Sequence, residues 1–147
     1  MSKGIVIIMR GIPGSGKSKF VKNKYPNSTV CSADYYHERH GDYIFHEEEA
    51  DLAHHQCRDE FDKSIKREDK IIVVDNTNIT FYEMKYYIDI GEQNEYDVRF
   101  VKMIISPEVA HERNVHNVPK DTINMLYEMF EDLPEEYKEK EIEIKSI

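Results

Sequence analysis

Residues Gly11-Ile12-Pro13-Gly14-Ser15-Gly16-Lys17-Ser18 follow the spacing glycine, four residues, glycine, lysine, serine that lets a backbone wrap around a phosphate. The flanks narrow the possible folds further. Ile5 to Met9 is a continuous apolar run, short enough for a strand buried on both faces. From Lys17 to Lys24 neither glycine nor proline interrupts the chain, so a helix starts inside the loop. Strand, glycine-rich turn and helix is the order the chemistry requires. Glycines at 11, 14 and 16 allow positive φ angles that turn backbone N–H groups inward. With the helix N-terminus, those groups make a nest for an anion. In such a nest Lys17 reaches the terminal phosphates, and the Ser18 hydroxyl takes one position on Mg²⁺. The stretch therefore implies a bound nucleoside triphosphate.

The remaining chain reads as alternating strands and helices. Thr29 to Ser32 is a short strand that delivers Asp34 just past its end, and Tyr35 to Tyr43 reads as a loop or short irregular segment. From about His46 to Lys66 the pattern is helical. Ala50, Ala53, Cys57, Phe61 and Ile65 share one face, with Glu48, Asp51, Arg58, Asp62 and Lys66 on the solvent side. Lys70 to Val74 is a second buried strand, ending at Asp75. Thr80 caps a helix with Glu83 in the capping-box position, and Gly91 is the expected stop. Asp97 to Ile105 is a further strand. Ser106-Pro107 opens a short helix carrying Arg113, and Pro119 starts another with Ile123, Leu126, Tyr127 and Phe130 as its apolar face. Glu141 to Ile147 alternates strictly, as an edge strand with one wet face does.

This order predicts a single α/β domain of three layers: a mostly parallel sheet with helices on both faces. Ligands bind such sheets outside the carboxyl ends of the strands, where the glycine-rich loop, Asp34 and Asp75 all fall. The net charge of −9 argues against coating long nucleic acid. The first thirty residues, however, hold Lys3, Arg10, Lys17, Lys19, Lys22 and Lys24 and no acid, so the phosphate-binding end is locally positive. Cys31 and Cys57 are too few for a disulfide framework and read as small core residues. The chain opens without a charged-then-apolar leader and has no apolar run near about 18 residues. The expectation is a soluble, cytoplasmic protein with no membrane contact.

Asp34 is placed to accept the proton of an attacking hydroxyl, or else to bond its own turn backbone. Asp75 ends an Ile-Ile-Val-Val run, as an acid that holds Mg²⁺ through water or fixes a neighbouring side chain. Arg113, on a segment 106–120 that reads as a lid, clamps a transferring phosphate or is a surface arginine. The candidate nucleotide-binding set is Gly11, Pro13, Gly14, Ser15, Gly16, Lys17, Ser18 and Asp75. The candidate catalytic set is Lys17, Asp34 and Arg113. The adjacent His54 and His55 point to different helix faces, which is poor geometry for zinc, and His54 reads as a satisfied, partly buried histidine in preference to one that lines the cleft.

With these residues in place the chain resembles the kinase domain of bacteriophage polynucleotide 5′-hydroxyl kinase and related small P-loop, AAA-type, kinase-like domains. The resemblance rests on residues 11–18, on Ser32-Ala33-Asp34-Tyr35-Tyr36 and on Asp75-Asn76-Thr77-Asn78. It continues through Glu112-Arg113-Asn114 and the Val118-Pro119 helix start. It implies transfer of the γ-phosphate of ATP, with Mg²⁺, to a 5′-hydroxyl end of DNA or RNA. It further implies Asp34 as general base, Lys17 and Ser18 as the loop pair and Arg113 as a lid arginine. The pattern departs at His37 and Asn117, where the resembled family carries arginines, and lost cations weaken polyanion binding. The chain is also too short for a second, phosphatase domain, so 3′-end repair is not expected. The alternatives are a small-metabolite kinase acting on a nucleoside or sugar, and a nucleotide-binding or ATPase module without kinase activity.

Overall fold

Strand β1 (Gly4–Arg10) runs through the centre of the protein, and its side chains alternate between two cores. The computed structural model describes residues 2–37, 49–114 and 117–146. In it β1 pairs in parallel with β3 on one side and β4 on the other, and the sheet order is β2-β3-β1-β4-β5. After β1 come α1 (Lys17–Lys24), β2 (Thr29–Cys31), α2 (Asp34–His37), α3 (Ala50–Lys66), β3 (Ile71–Asp75) and α4 (Phe81–Gln93). The chain continues through β4 (Tyr96–Ile104), α5 (Pro107–Arg113), α6 (Lys120–Met129), α7 (Glu135–Lys138) and β5 (Glu141–Lys145). Every strand pairing is parallel. This is the α/β domain that the alternation of strands and helices predicts.

Period-two alternation builds the layers. Val6 and Ile8 face a core with Cys57 and Phe61 of α3, Met84 and Ile88 of α4, and Val98 and Phe100 of β4. Ile7 and Met9 face the opposite core with Val21 of α1, Val73, Val101 and Met103. A smaller cluster of Ile12, Ile79, Ala110 and Ile123 seats α5 and α6 over the carboxyl end of the sheet. Cys31 and Cys57 are both free and buried, as small core residues. No helix among the described residues is long and apolar enough to cross a membrane.

Four local expectations need correction. Helix α4 does not stop at Gly91 but runs through it to Gln93. A Cβ there would lie 3.1 Å from Val98 Cγ2 and 3.4 Å from Val6 Cγ2, so glycine lets the helix sit close on the sheet. The chain turns instead at Glu95, with φ of 67°. Asp34 opens a helical turn, α2, rather than a loop. The loop residues 38–43, with His40, and the first predicted turn of α3, with His46, lie outside the described residues, as does the side chain of His37. Along β5 the alternation does not divide a dry face from a wet one, because Ile142 is half-exposed while Glu141 is largely buried.

Arg10 explains that last departure and overturns its reading as part of a positive phosphate-binding end. It is fully buried. Its Nη1 donates to Glu141 Oε2 at 2.9 Å and its Nε to the Asn78 carbonyl at 3.0 Å, while Nη2 donates to the Ile79 and Glu131 carbonyls. The Phe130 ring lies 4.6 Å from its guanidinium carbon. Its charge ties β1 to β5 and to the turn after β3.

Candidate active site

The glycine-rich loop leaves β1 under two constraints. Gly11 N–H donates to the Thr77 carbonyl at 3.0 Å, and Ser15 N–H closes back on the Ile12 carbonyl at 3.1 Å. Gly14 and Gly16 hold φ of 84° and 89°, which other residues rarely adopt. At Gly14 a side chain would also run into the Ala110 carbonyl, so α5 rests directly on the loop. Pro13 is half-buried between them, and α1 starts at Lys17.

Lys17 folds over its own loop, donating from Nζ to the Gly11 carbonyl at 3.0 Å and the Ile12 carbonyl at 3.2 Å. Burial lowers its pKa from the ordinary lysine value, and the charges of Asp75 and Asp34 oppose that shift. One ammonium and two carboxylates thus share an electrostatic neighbourhood, although they come from three separate strand ends. Asp75 is buried at the end of β3, and its Oδ2 accepts from Ser18 Oγ at 2.8 Å. Desolvation raises the Asp75 pKa, against the pull of Lys17 and the Ser18 hydroxyl. Asp34 is half-buried at the first position of α2, and its N–H donates to Ser32 Oγ at 3.2 Å. Asn76 secures that segment, because its Oδ1 accepts from Ala33 N–H at 2.9 Å.

The sequence-derived set is therefore largely brought together. Arg113 stands somewhat apart. It is exposed, and its Nη1 donates to Ser146 Oγ at 3.0 Å. That same hydroxyl oxygen lies 3.3 Å from where a Gly16 Cβ would sit, so Arg113 meets the loop through Ser146. Asn117, in the other position where the resembled family has arginine, is exposed with φ of 56°.

Only three buried polar side-chain atoms among the described residues have no hydrogen-bond partner: Ser15 Oγ, Asp75 Oδ1 and Arg58 Nε. Folded proteins leave few such atoms, and water, an ion or a ligand completes those that remain. All three lie at the carboxyl end of the sheet. Asp75 Oδ1 beside the Ser18 hydroxyl is an all-oxygen donor set of the kind Mg²⁺ takes. The residues fit the ion.

Arg58 is what the sequence reading misplaced. Assigned there to the solvent side, it is half-buried and borders a cleft of about 330 Å³ between α3, α4 and the turn after β3. Asp51, His54, His55 and Arg58 recur at helical spacing and all line it, so the adjacent histidines share the cleft after all. Their polarity makes such a stripe look like a wet face. The tyrosines at 82, 86 and 87 on α4 were the available signal that another element faces it.

The sequence pattern of the AAA domain family matches residues 6–132, which include the loop, Asp34, Asp75 and Arg113. Human NEDD4-binding protein 2 is 28% identical over 134 residues, which are 86% of this chain and 8% of that protein. The putative bifunctional polynucleotide phosphatase/kinase of Acanthamoeba polyphaga mimivirus is 31% identical over 116 residues, 77% of this chain and 24% of the viral protein. The chain thus spans less than a quarter of either relative's length. Among solved structures, a gluconokinase from Sinorhizobium meliloti superposes with a TM-score of 0.63 at 16% identity, covering 99% of this chain and 85% of the other. At that identity the likeness concerns the fold. The likeness is accordingly wider than the phage polynucleotide kinase alone, and the fold is a P-loop, AAA-type kinase-like one. The match across residues 6–132 places the chain in the AAA domain family.

Proposed function

We propose that the chain is an ATP-dependent kinase that passes the γ-phosphate to a hydroxyl of a small alcohol. The observation that carries the reading is the meeting of Lys17, Ser18, Asp75 and Asp34 at one end of the sheet. Nucleotide binding alone has no use for a second carboxylate, Asp34, within reach of the phosphate-loop lysine. The size of the neighbouring cleft, about 330 Å³, suits a small acceptor.

In this mechanism the loop N–H groups and Lys17 hold the β- and γ-phosphates, and Lys17 exchanges its two loop carbonyls for phosphate oxygens. Ser18 and Asp75 would hold Mg²⁺. The bound ion would neutralise charge on the phosphate oxygens. Asp34 accepts the acceptor hydroxyl proton as the oxygen bonds to the γ-phosphorus, and the bond to the bridging oxygen of ADP breaks. Arg113, on a 106–120 segment that closes as a lid, leaves Ser146 and stabilises charge on the transferring group. Positioning and electrostatics supply most of the rate, as is general for phosphoryl transfer.

A second reading, transfer to a 5′-hydroxyl end of DNA or RNA, is favoured by the 31% identity to the viral phosphatase/kinase. Its weakness is His37 and Asn117 at positions where the resembled family has arginines.

The test is transfer of labelled γ-phosphate, with Mg²⁺, to gluconate, nucleosides and 5′-hydroxyl oligonucleotides. Asp34→Asn is expected to lower transfer by about 10²–10⁴-fold, and Lys17→Ala by at least ~10²-fold. Label on oligonucleotides alone would move the conclusion to the second reading. ATP hydrolysis that no acceptor alters and that Asp34→Asn leaves intact would sink both.

A further inference from the structure

We propose that the cleft between α3 and α4 is the acceptor subsite, and that Arg58 there binds an anionic group, phosphate or carboxylate, carried by the acceptor alcohol. This rests on the kinase reading for the word acceptor. The anion site itself rests on the geometry of the cleft.

The cleft adjoins the reactive end of the sheet through a single residue. Asn76 lines it, follows Asp75 directly in sequence, and through its side-chain oxygen holds the backbone just before Asp34. The cleft and the segment that carries Asp34 thus meet at Asn76. Arg58 is built into the opposite wall. Its guanidinium carbon lies 5.5 Å from the Tyr86 ring centroid, and the Tyr86 hydroxyl is anchored on both carboxylate oxygens of Asp62 at 2.7–2.8 Å. The cation is therefore held by stacking rather than by an ion pair. It donates no hydrogen bond to any described residue, and its Nε is buried without a partner. A planar guanidinium that lines a cleft and pairs with no carboxylate among the described residues is the group that recognises carboxylate or phosphate through paired hydrogen bonds.

The other cleft residues agree. His54 lines the cleft one turn from Arg58, and the 84% exposed Tyr82 offers a flat surface at the mouth. Two carboxylates also border the space, and neither neutralises Arg58. Glu83 turns back to cap α4, where its Oε1 accepts from Thr80 Oγ1 at 3.3 Å, and Asp51 sits exposed in the first turn of α3. His55 pairs with Asp59 at 3.6 Å.

Matched acceptors separate the two anion sources: gluconate against glucose for a carboxylate, and adenosine 3′-monophosphate against adenosine for a phosphate. The wild type is expected to favour the anionic member of one pair by tenfold or more in kcat/KM, and the pair identifies the anion. Arg58→Gln should abolish that preference through the acceptor KM while leaving the ATP KM unchanged, and Arg58→Lys should restore part of it. Equal use of both members of each pair, or equal losses for charged and neutral acceptors in Arg58→Gln, would overturn the proposal. A direct readout stands apart from catalysis: the Arg58 Nε–H NMR resonance, assigned by its absence in Arg58→Gln. It should shift saturably with gluconate or adenosine 3′-monophosphate and stay still with glucose and adenosine. A shift without any phosphate transfer would keep the anion site and discard the kinase reading; no shift with either anion would discard the site.

Discussion

Arg10 and Arg58 stand on either side of the same turn after β3, and the fold treats them in opposite ways. Arg10 is sealed, with its guanidinium on one carboxylate, three carbonyls and an aromatic face. Arg58 stacks on a ring, pairs with no carboxylate among the described residues and keeps a buried N–H without a partner. Both cost desolvation. The first recovers it inside the protein, and the second recovers it only when something binds. Complete satisfaction fits a charge that holds the chain together, and a buried donor without a protein partner is one that a water, an ion or a ligand completes.

The sharpest way to break this contrast is truncation. Arg10→Ala leaves Glu141 buried without its cation and strips the Asn78, Ile79 and Glu131 carbonyls of a donor, so denaturant unfolding should show a loss of about 3–5 kcal/mol. Arg58→Ala should change stability by less than about 1 kcal/mol; comparable losses in the two variants would erase the distinction. Glu141→Gln keeps an acceptor for Arg10 but removes the charge. Its expected cost is about 1–2 kcal/mol by the same measurement, from weakening a charge-assisted bond.

The core between β2 and α3 is tested by pH. Burial pushes the Cys31 thiol up to about 12 from an ordinary 9.0, with Cys57 next to it reinforcing the shift. The folded chain then keeps a proton that the unfolded chain releases, so stability holds below pH 9 and falls above it. The slope is at most about 1.4 kcal/mol per pH unit for this group. Cys31→Ala should flatten the alkaline limb in thermal melts, whereas His54→Ala on the cleft face should leave that limb unchanged. The smallest effect is expected at Gly91→Ala. Better helix propensity by about 1 kcal/mol opposes crowding against Val98, so the melting midpoint should barely move.

What was legible in the sequence was what neighbouring residues encode together. The glycine loop, the apolar runs of β1 and β3 and the Thr80 and Ser106 caps are local patterns, and each element formed where its pattern lay. Asp34 and Asp75 were found because topology sends every parallel strand's end to one edge. The Arg10–Glu141 pair was not legible, since 131 positions separate its members and a charge at the end of an apolar run reads as a strand's wet terminus. Gly91 carries the same signal whether it ends a helix or lets one pack closely, and only Val6 and Val98 across the gap decide. Arg58 was misread for a similar reason: a polar helical stripe does not announce the α4 residues set opposite.

The separation between Arg10 and Glu141 also has a consequence in time. A ribosome adding about 5–20 residues per second leaves roughly 7–26 s between making the two. For that interval the central strand carries a cation whose carboxylate does not yet exist, and β1 has no β4 beside it until Tyr96 and its successors are made. A nascent chain stalled or cut before Glu141 cannot bury Arg10 in its native setting. The pair closes only once β5 has been made, so the central strand is completed late in the synthesis of this domain.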